Sequence, residues 1–247
     1  MNTIQLTYRH FFRTRTIETT FPSCWSEMTA GQFMALCSRP DDITLLSIML
    51  NVSPRIIRRL SGIQTYELAQ LFSFIKRDTK VSSFTLKTIF CKGIGTLYAP
   101  KPKLAEMTFI QFIYVDSFYM QYANSGKVEI LRDFVAYLYS PFSGYSKSIA
   151  DRNADRLRKI DVSILESIAL NYGMLREWII ERYPLIFPSA RKEIASCSSG
   201  SWSDVFDSLV GDDLKDRDKY AEVPVNVVFK YLTRKIKESR KNGSKIH

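Results

Sequence analysis

The chain has 247 residues, its 35 Lys+Arg against 25 Asp+Glu give a formal net charge of +10, and 45% of its residues are hydrophobic. A chain of this length and composition buries about 70% of its unfolded surface, which excludes disorder throughout. No run approaches the ~18 apolar residues of a membrane span, and Arg9, Arg13, Arg15 and Glu18 break up the N-terminal segment, so a soluble, unsecreted protein is expected. Cys24, Cys37, Cys91 and Cys197 lie far apart with no C-x-x-C pair, which fits buried thiols in a reducing compartment better than a disulfide framework or a zinc site. Lys230 to His247 holds seven basic residues against Glu238 alone, so six of the ten net charges belong to the C-terminal segment.

Thr3 to Arg9 and Thr14 to Phe21 alternate in period 2, as half-buried strands do, and predict a hairpin ended by Pro22. Thr29 with Gln32 three residues on is a capping-box pattern, opening a helix from about Ala30 to Ser38. Asp41 or Asp42 caps a very apolar helix over Ile43 to Leu50. Ser53 before Pro54, and Thr65 before Tyr66, mark two more. Strands then return at Ser83 to Phe90 and Gly95 to Ala99, turned at Lys92-Gly93-Ile94-Gly95.

After them Glu106-Met107-Thr108-Phe109-Ile110-Gln111-Phe112 repeats Glu27-Met28-Thr29-Ala30-Gly31-Gln32-Phe33 in five of seven positions, including the capping box. Helices follow to about Tyr122, over Val128 to Tyr139, around Ala150 to Lys159, and over Val162 to Arg182. The recurring order predicts a duplicated, predominantly helical α+β unit: lobes at 1–80 and 81–188, each a hairpin followed by about four helices. A Ser/Gly-rich linker at 189–201 and a helical extension at 202–247 complete the chain. In the extension Trp202, Val205, Phe206 and Leu209 sit at helical spacing, and Pro224 opens a helix whose apolar face is Val225, Val228, Leu232 and Ile236.

No residue set for catalysis, a metal or a cofactor emerges. The histidines are His10, at a strand edge, and His247, and neither has a nucleophile motif beside it. Asp212, Asp213, Asp216 and Asp218 lack the glycine and closing glutamate of an EF-hand and are interleaved with Lys215, Arg217 and Lys219. Gly93 and Gly95 read as a tight turn, since no phosphate-loop sequence follows. Arg55, Arg58 and Arg59, and Arg152, Arg156, Arg158 and Lys159, are basic groups of the kind that form solvated faces, although a nucleic-acid surface would use the same residues.

Phe21-Pro22-Ser23-Cys24-Trp25-Ser26-Glu27-Met28-Thr29-Ala30-Gly31-Gln32-Phe33 resembles the opening of the small tail-assembly, tail-chaperone-like proteins of tailed bacteriophages and prophages, a strand followed by P-x-x-W-x-E-(L/M)-T-x-x-Q-F. Ile43 to Leu60 resembles their next segment. Leu138-Tyr139-Ser140-Pro141, Tyr172-Gly173-Met174-Leu175-Arg176 and Pro224 to Ile236 resemble later parts of longer relatives in phages of Bacteroidetes-type hosts. The resemblance implies a non-enzymatic protein in the bacterial cytoplasm or the virion, acting by contact with the tape-measure or tail-tube protein. It would bury apolar surface on that partner, with Phe33, Phe109, Phe112, Phe118 and Trp202 as candidate contacts, although each of them also suits the core of the fold. Shorter tail chaperones lack the second unit and the basic tail. The alternative is a nucleic-acid-binding accessory protein using Lys230, Arg234, Lys235, Lys237, Arg240 and Lys241.

Overall fold

The hairpin at the start of the chain pairs β1 (Asn2–His10) antiparallel with β2 (Arg13–Phe21), Leu6 opposite Ile17 and His10 opposite Arg13. Alternation sends Leu6 and Tyr8 inward and leaves Thr3, Gln5, Thr7 and Arg9 on the exposed face. The computed structural model describes residues 2–38, 40–77, 81–187, 202, 205–207 and 217–243. The chain divides into two compact units, Met1–Val81 and Ser82–His247.

In the first unit the hairpin is followed by α1 (Ala30–Cys37), α2 (Asp42–Leu50), α3 (Pro54–Ile57), α4 (Gly62–Leu71) and α5 (Phe74–Arg77). Thr29 caps α1 in a complete capping box: its hydroxyl accepts from Gln32 N at 3.2 Å, and Gln32 Oε1 accepts from Thr29 N at 2.9 Å. Such a cap is worth about 1 kcal/mol. Asp41 caps α2. The helix expected from Thr65 begins earlier, at Gly62, because Ser61 and Gln64 form a second capping box. Gln64 Nε2 also donates to Thr7 O at 3.1 Å, tying α4 to β1. Leu6, Phe21, Met28, Leu46, Met49, Leu50, Ile57, Leu68 and Phe72 form the buried core.

The second unit repeats the order: β3 (Thr88–Cys91) and β4 (Gly95–Tyr98), then α6 (Phe109–Ser125), α7 (Val128–Leu138), α8 (Lys147–Arg156) and α9 (Val162–Arg182). The fold is a predominantly helical α+β arrangement with one small antiparallel hairpin in each unit. Gly93 and Gly95, with φ of 95° and 98°, make the tight β3–β4 turn in a region L side chains avoid. The expected strand from Ser83 is cut to four residues. Asn171 of α9 takes over the backbone upstream, its Oδ1 accepting from Thr85 N at 2.8 Å and its Nδ2 donating to Ser83 O at 3.2 Å, while Tyr139 Oη donates to Leu86 O. Those groups therefore need no strand partner.

Beyond α9, α10 (Arg217–Glu222) and α11 (Val225–Gly243) return to the start of α6. Phe109 N donates to Val223 O at 2.8 Å and Val225 N to Met107 O at 2.9 Å. The capping box expected at the start of α6 is only half formed: Thr108 accepts from Gln111 N, at 3.3 Å, but the reciprocal bond is not made. α11 docks by Val225, Val228 and also Phe229, which is 1% exposed. The linker expected at 189–201, Cys197, His247 and Asp212, Asp213 and Asp216 lie outside the described residues. Cys91 is buried as expected, but Cys24 is exposed and Cys37 half-buried, since Cys24 precedes a short 3₁₀ turn at the surface.

One carboxylate sits deep in this unit. Asp116 on α6, 2% exposed, accepts from Arg176 Nε at 2.7 Å, Tyr172 Oη at 3.1 Å and Trp202 Nε1 at 2.9 Å. Asp116→Ala leaves the Arg176 charge buried without its partner, and a loss of about 3–5 kcal/mol is expected in urea unfolding; a loss under about 1 kcal/mol would contradict this account.

Gly173, within α9, faces the Tyr119 ring, and a Cβ there would lie 2.5 Å from the Tyr119 oxygen and 3.5 Å from Cζ. Gly173→Ala is expected to destabilise by about 1–3 kcal/mol through overpacking. Adding it to Tyr119→Phe should instead stabilise by up to about 1 kcal/mol from helix propensity. Thermal unfolding of the four-member cycle measures the coupling, and additive effects would refute it.

Candidate interaction surfaces

The residues of the repeated motif are occupied with holding the fold. Glu27 Oε2 accepts from Ser23 N at 2.8 Å and Ser23 Oγ at 3.0 Å, bonds that hold its carboxyl down to about 2. Trp25 packs edge-on against Phe33 and Phe74, with ring centroids 6.1 and 5.7 Å away. Gln32 Nε2 donates to Met49 O at 3.0 Å, and Gln111 Nε2 to Tyr137 O at 2.9 Å. Each glutamine thus reaches the penultimate residue of the helix that follows its own, in both units.

Of the five candidate contact residues, three lie in the core, the other reading open to them: Phe33 is 1% exposed, and Phe109 and Phe112 are fully buried. These rings lie on the inward faces of their helices. Phe118 is half-buried, its ring 5.0 Å from that of Tyr137. Trp202, also half-buried, donates to Asp116 and packs on Phe112 and Phe229 at 5.2 and 5.8 Å.

The large exposed aromatic residues lie elsewhere. The β1–β2 turn consists of Phe11 and Phe12, 83% and 104% exposed, with Phe11 at φ 53°. Two-residue hairpin turns normally give positive φ to Gly, Asn or Asp, so this turn carries a bulky ring where backbone geometry disfavours one. Arg9, Arg13 and Arg15 are exposed around it, and Glu18, the hairpin's sole carboxylate, pairs across the strands with Gln5, away from the turn. The His10 ring stands edge-on to Phe11 at 4.7 Å; partial desolvation, then the Arg59 and Arg15 charges, depress its pKa. No side-chain hydrogen bond joins His10 to a nucleophile among the described residues. Residues 1–81 carry ten Lys/Arg against six Asp/Glu, whereas residues 82–229 carry eighteen of each. The net positive charge outside the C-terminal segment therefore belongs to the unit with the phenylalanine turn.

The second unit has a groove of about 710 Å³ lined by Tyr98, Pro100, Pro102, Met107, Pro141 and Phe142 among others. Phe142 is 91% exposed, and its ring meets that of Tyr98 edge-on at 6.2 Å. In the first unit the corresponding hollow, beside Gln32 and the end of α2, is lined by Thr20, Thr29, Ser47, Asn51 and Ser53 together with Ile48 and Val52, so its lining is mixed.

On α11 the side chains of Lys230, Arg234, Lys235, Lys237, Arg240 and Lys241 are all exposed. Arg234 lies 3.8 Å from Glu238, and Arg234 and Lys235 sit over the Tyr231 ring at 5.6 and 5.7 Å. Among the described residues no group of three or more His, Cys, Asp or Glu is placed to hold a metal ion, and no helix is long and apolar enough to cross a membrane. No protein-family model matches the chain, and neither the curated proteins nor the solved structures contain a match.

If the Phe11 ring is kept for a partner and not for stability, Phe11→Asn, which tolerates positive φ, should leave the unfolding midpoint unchanged or raise stability by up to about 1 kcal/mol. Leu6→Ala, in the core below, should cost about 2–5 kcal/mol. A loss above about 1 kcal/mol in Phe11→Asn would make the ring structural.

Proposed function

We propose that the chain is a non-enzymatic bacteriophage tail-assembly or virion-associated protein, a tail chaperone or minor structural component, that acts by protein–protein contact. The observation that carries this reading is the Phe11–Phe12 turn: two adjacent, almost fully exposed rings held at the end of a nine-residue-strand hairpin in an unfavourable backbone geometry. Rings of this size, buried in a partner's pocket, are typical of the few residues that dominate interface energies. The resemblance of the Pro22 to Phe33 segment to tail-assembly proteins supplies the biological setting, and the motif itself serves to tie α1 to the end of α2 and to pack Trp25 on α1.

Co-expression with a tape-measure or tail-tube protein encoded by a neighbouring gene tests the reading, and the lack of any such neighbour counts against it. Co-elution in size exclusion should persist as salt rises to about 1 M, as apolar contact does, and Phe11→Ser/Phe12→Ser should abolish it. If neither protein co-elutes, or the double variant binds as well as wild type, the reading fails.

The exposed basic face of α11 favours a second reading, a nucleic-acid-binding accessory protein. It predicts an electrophoretic shift that weakens steeply with salt and disappears in Arg234→Ala/Lys235→Ala/Lys237→Ala.

A further inference from the structure

We propose that the outer face of the β3–β4 hairpin binds single-stranded nucleic acid, with its aromatic rings stacked on bases and its lysines set against phosphates.

A hairpin laid on a core buries one face and turns the other to water, and the water-facing side is ordinarily polar. The inward face follows the rule, since Ile89, Cys91 and Leu97 are buried. The outer face does not. The register sets Thr88 opposite Tyr98 and Phe90 opposite Thr96, so Phe90 and Tyr98 are diagonal neighbours on that face. Diagonal pairs have Cβ atoms about 7–8 Å apart, and these two residues are 71% and 42% exposed. A third ring comes from outside the hairpin. Tyr98 N donates to Ser140 O at 2.8 Å and Ser140 N to Tyr98 O at 3.1 Å, a bridge that brings the Phe142 ring to 6.2 Å from that of Tyr98. These two rings meet edge-on and are not stacked on each other. Phe90, Tyr98 and Phe142 thus follow one another across one surface.

The same segment is one-sided in charge. Residues 82–105 contain Lys87, Lys92, Lys101 and Lys103 and no Asp or Glu, although residues 82–229 are balanced as a whole. Lys101 pairs with Glu106. Lys87 and Lys92, at opposite ends of β3, are exposed and make no salt bridge among the described residues. At the turn Arg156 Nη1 donates to Gly93 O at 2.6 Å, and Lys159 Nζ lies 3.9 Å from the place a Cβ on Gly93 would take, so two more cations stand beside Lys92. At the other end Lys87, Thr88, Tyr98 and Phe142 are among the residues lining the groove of about 710 Å³.

Exposed rings alone would suit any apolar partner, and lysines alone any anion. Together they select a polyanion that carries flat apolar surfaces at regular intervals, which is a nucleic acid. The Tyr98 and Phe142 rings are 6.2 Å apart, whereas stacked bases rise by only ~3.4 Å per step. Each ring therefore takes a base splayed away from its neighbours, which a single strand offers and a duplex does not. The inference is independent of the tail-assembly reading, which rests on the Phe11–Phe12 turn of the first unit, and of the basic face of α11.

The test uses the full chain carrying Arg234→Ala/Lys235→Ala/Lys237→Ala, which removes the basic face of α11 as a competing site. It is titrated against a fluorescein-labelled oligothymidylate of about 12 nucleotides, within the range of single-strand sites, with fluorescence anisotropy as the readout. Saturable binding is expected, tighter by about tenfold or more than to a duplex of the same length. Phe90→Ala and Phe142→Ala, both at exposed rings, should each weaken it about fivefold or more, the loss of one stacked base. Phe142→Leu should weaken it as much, because leucine keeps the apolar bulk and lacks the π-face. Lys87→Gln should lower the slope of log affinity against log salt by about 0.7, the share of one phosphate on a single strand. Near-UV circular dichroism reports that each variant is folded. A parallel titration with oligouridylate separates the sources: the tighter ligand assigns RNA or DNA, and equal affinity assigns either strand. Absence of saturable binding, a duplex bound as tightly as the single strand, or wild-type affinity in Phe142→Leu or in Phe90→Ala/Phe142→Ala would overturn the proposal.

Discussion

Asp116 sets the terms on which the second unit assembles. Two of its partners are the aromatic residues Tyr172 and Trp202, and the Trp202 ring in turn packs against Phe109, Phe112 and Phe229. An ionised carboxylate in such a place has lost its water and must find its donors in the protein. They come from α9 through Tyr172 and Arg176, and from the C-terminal region through Trp202. Burial works against the charge on Arg176, but Asp116 beside it outweighs that effect and its pKa is raised. Burial, with the same carboxylate, holds the Tyr172 phenol well above its ordinary range, so it remains a neutral donor. One polar group thereby decides which faces of α6 and α9 meet, and where the chain after α9 returns.

Among the described residues the first unit has no counterpart to this buried carboxylate, yet the two share a neutral version of the same logic. Gln32 and Gln111 each leave a Thr-capped helix and donate to a buried carbonyl near the end of the next helix. Amide and carbonyl satisfy one another without charge, so the bond sets the angle between two helices with little desolvation penalty. The hollows beside the two glutamines then differ in that prolines and aromatic rings line the second and not the first.

The residues that carry the family resemblance are therefore structural, and the exposed aromatic groups lie outside the motif, in turns. Phe11, Phe12 and Phe142 project from short connections, where side-chain choice has little bearing on packing. Trp25, Met28, Gln32 and Phe33 have defined roles within the first unit, and changing them would disturb the fold before it touched a partner.

Elements whose signals are local were legible in the residues. Period-2 alternation located β1 and β2, the Thr29 and Thr108 caps located α1 and α6, and the bounds of α9 are those its pattern predicts. These signals arise from interactions within about four residues along the chain, which is the reach of a capping bond or a helical turn. Tertiary structure decided the rest. Ser83 to Lys87 alternates like a strand but is satisfied by Asn171 from 86 and 88 residues away. Phe33, Phe109 and Phe112 look like any apolar helix face until the rest of the chain covers them. Trp202 finds its acceptor 86 residues upstream. The sequence by itself determined where helices and strands begin, because that chemistry is local. Which of their side chains are buried, bonded or left exposed depends on groups brought together from distant parts of the chain.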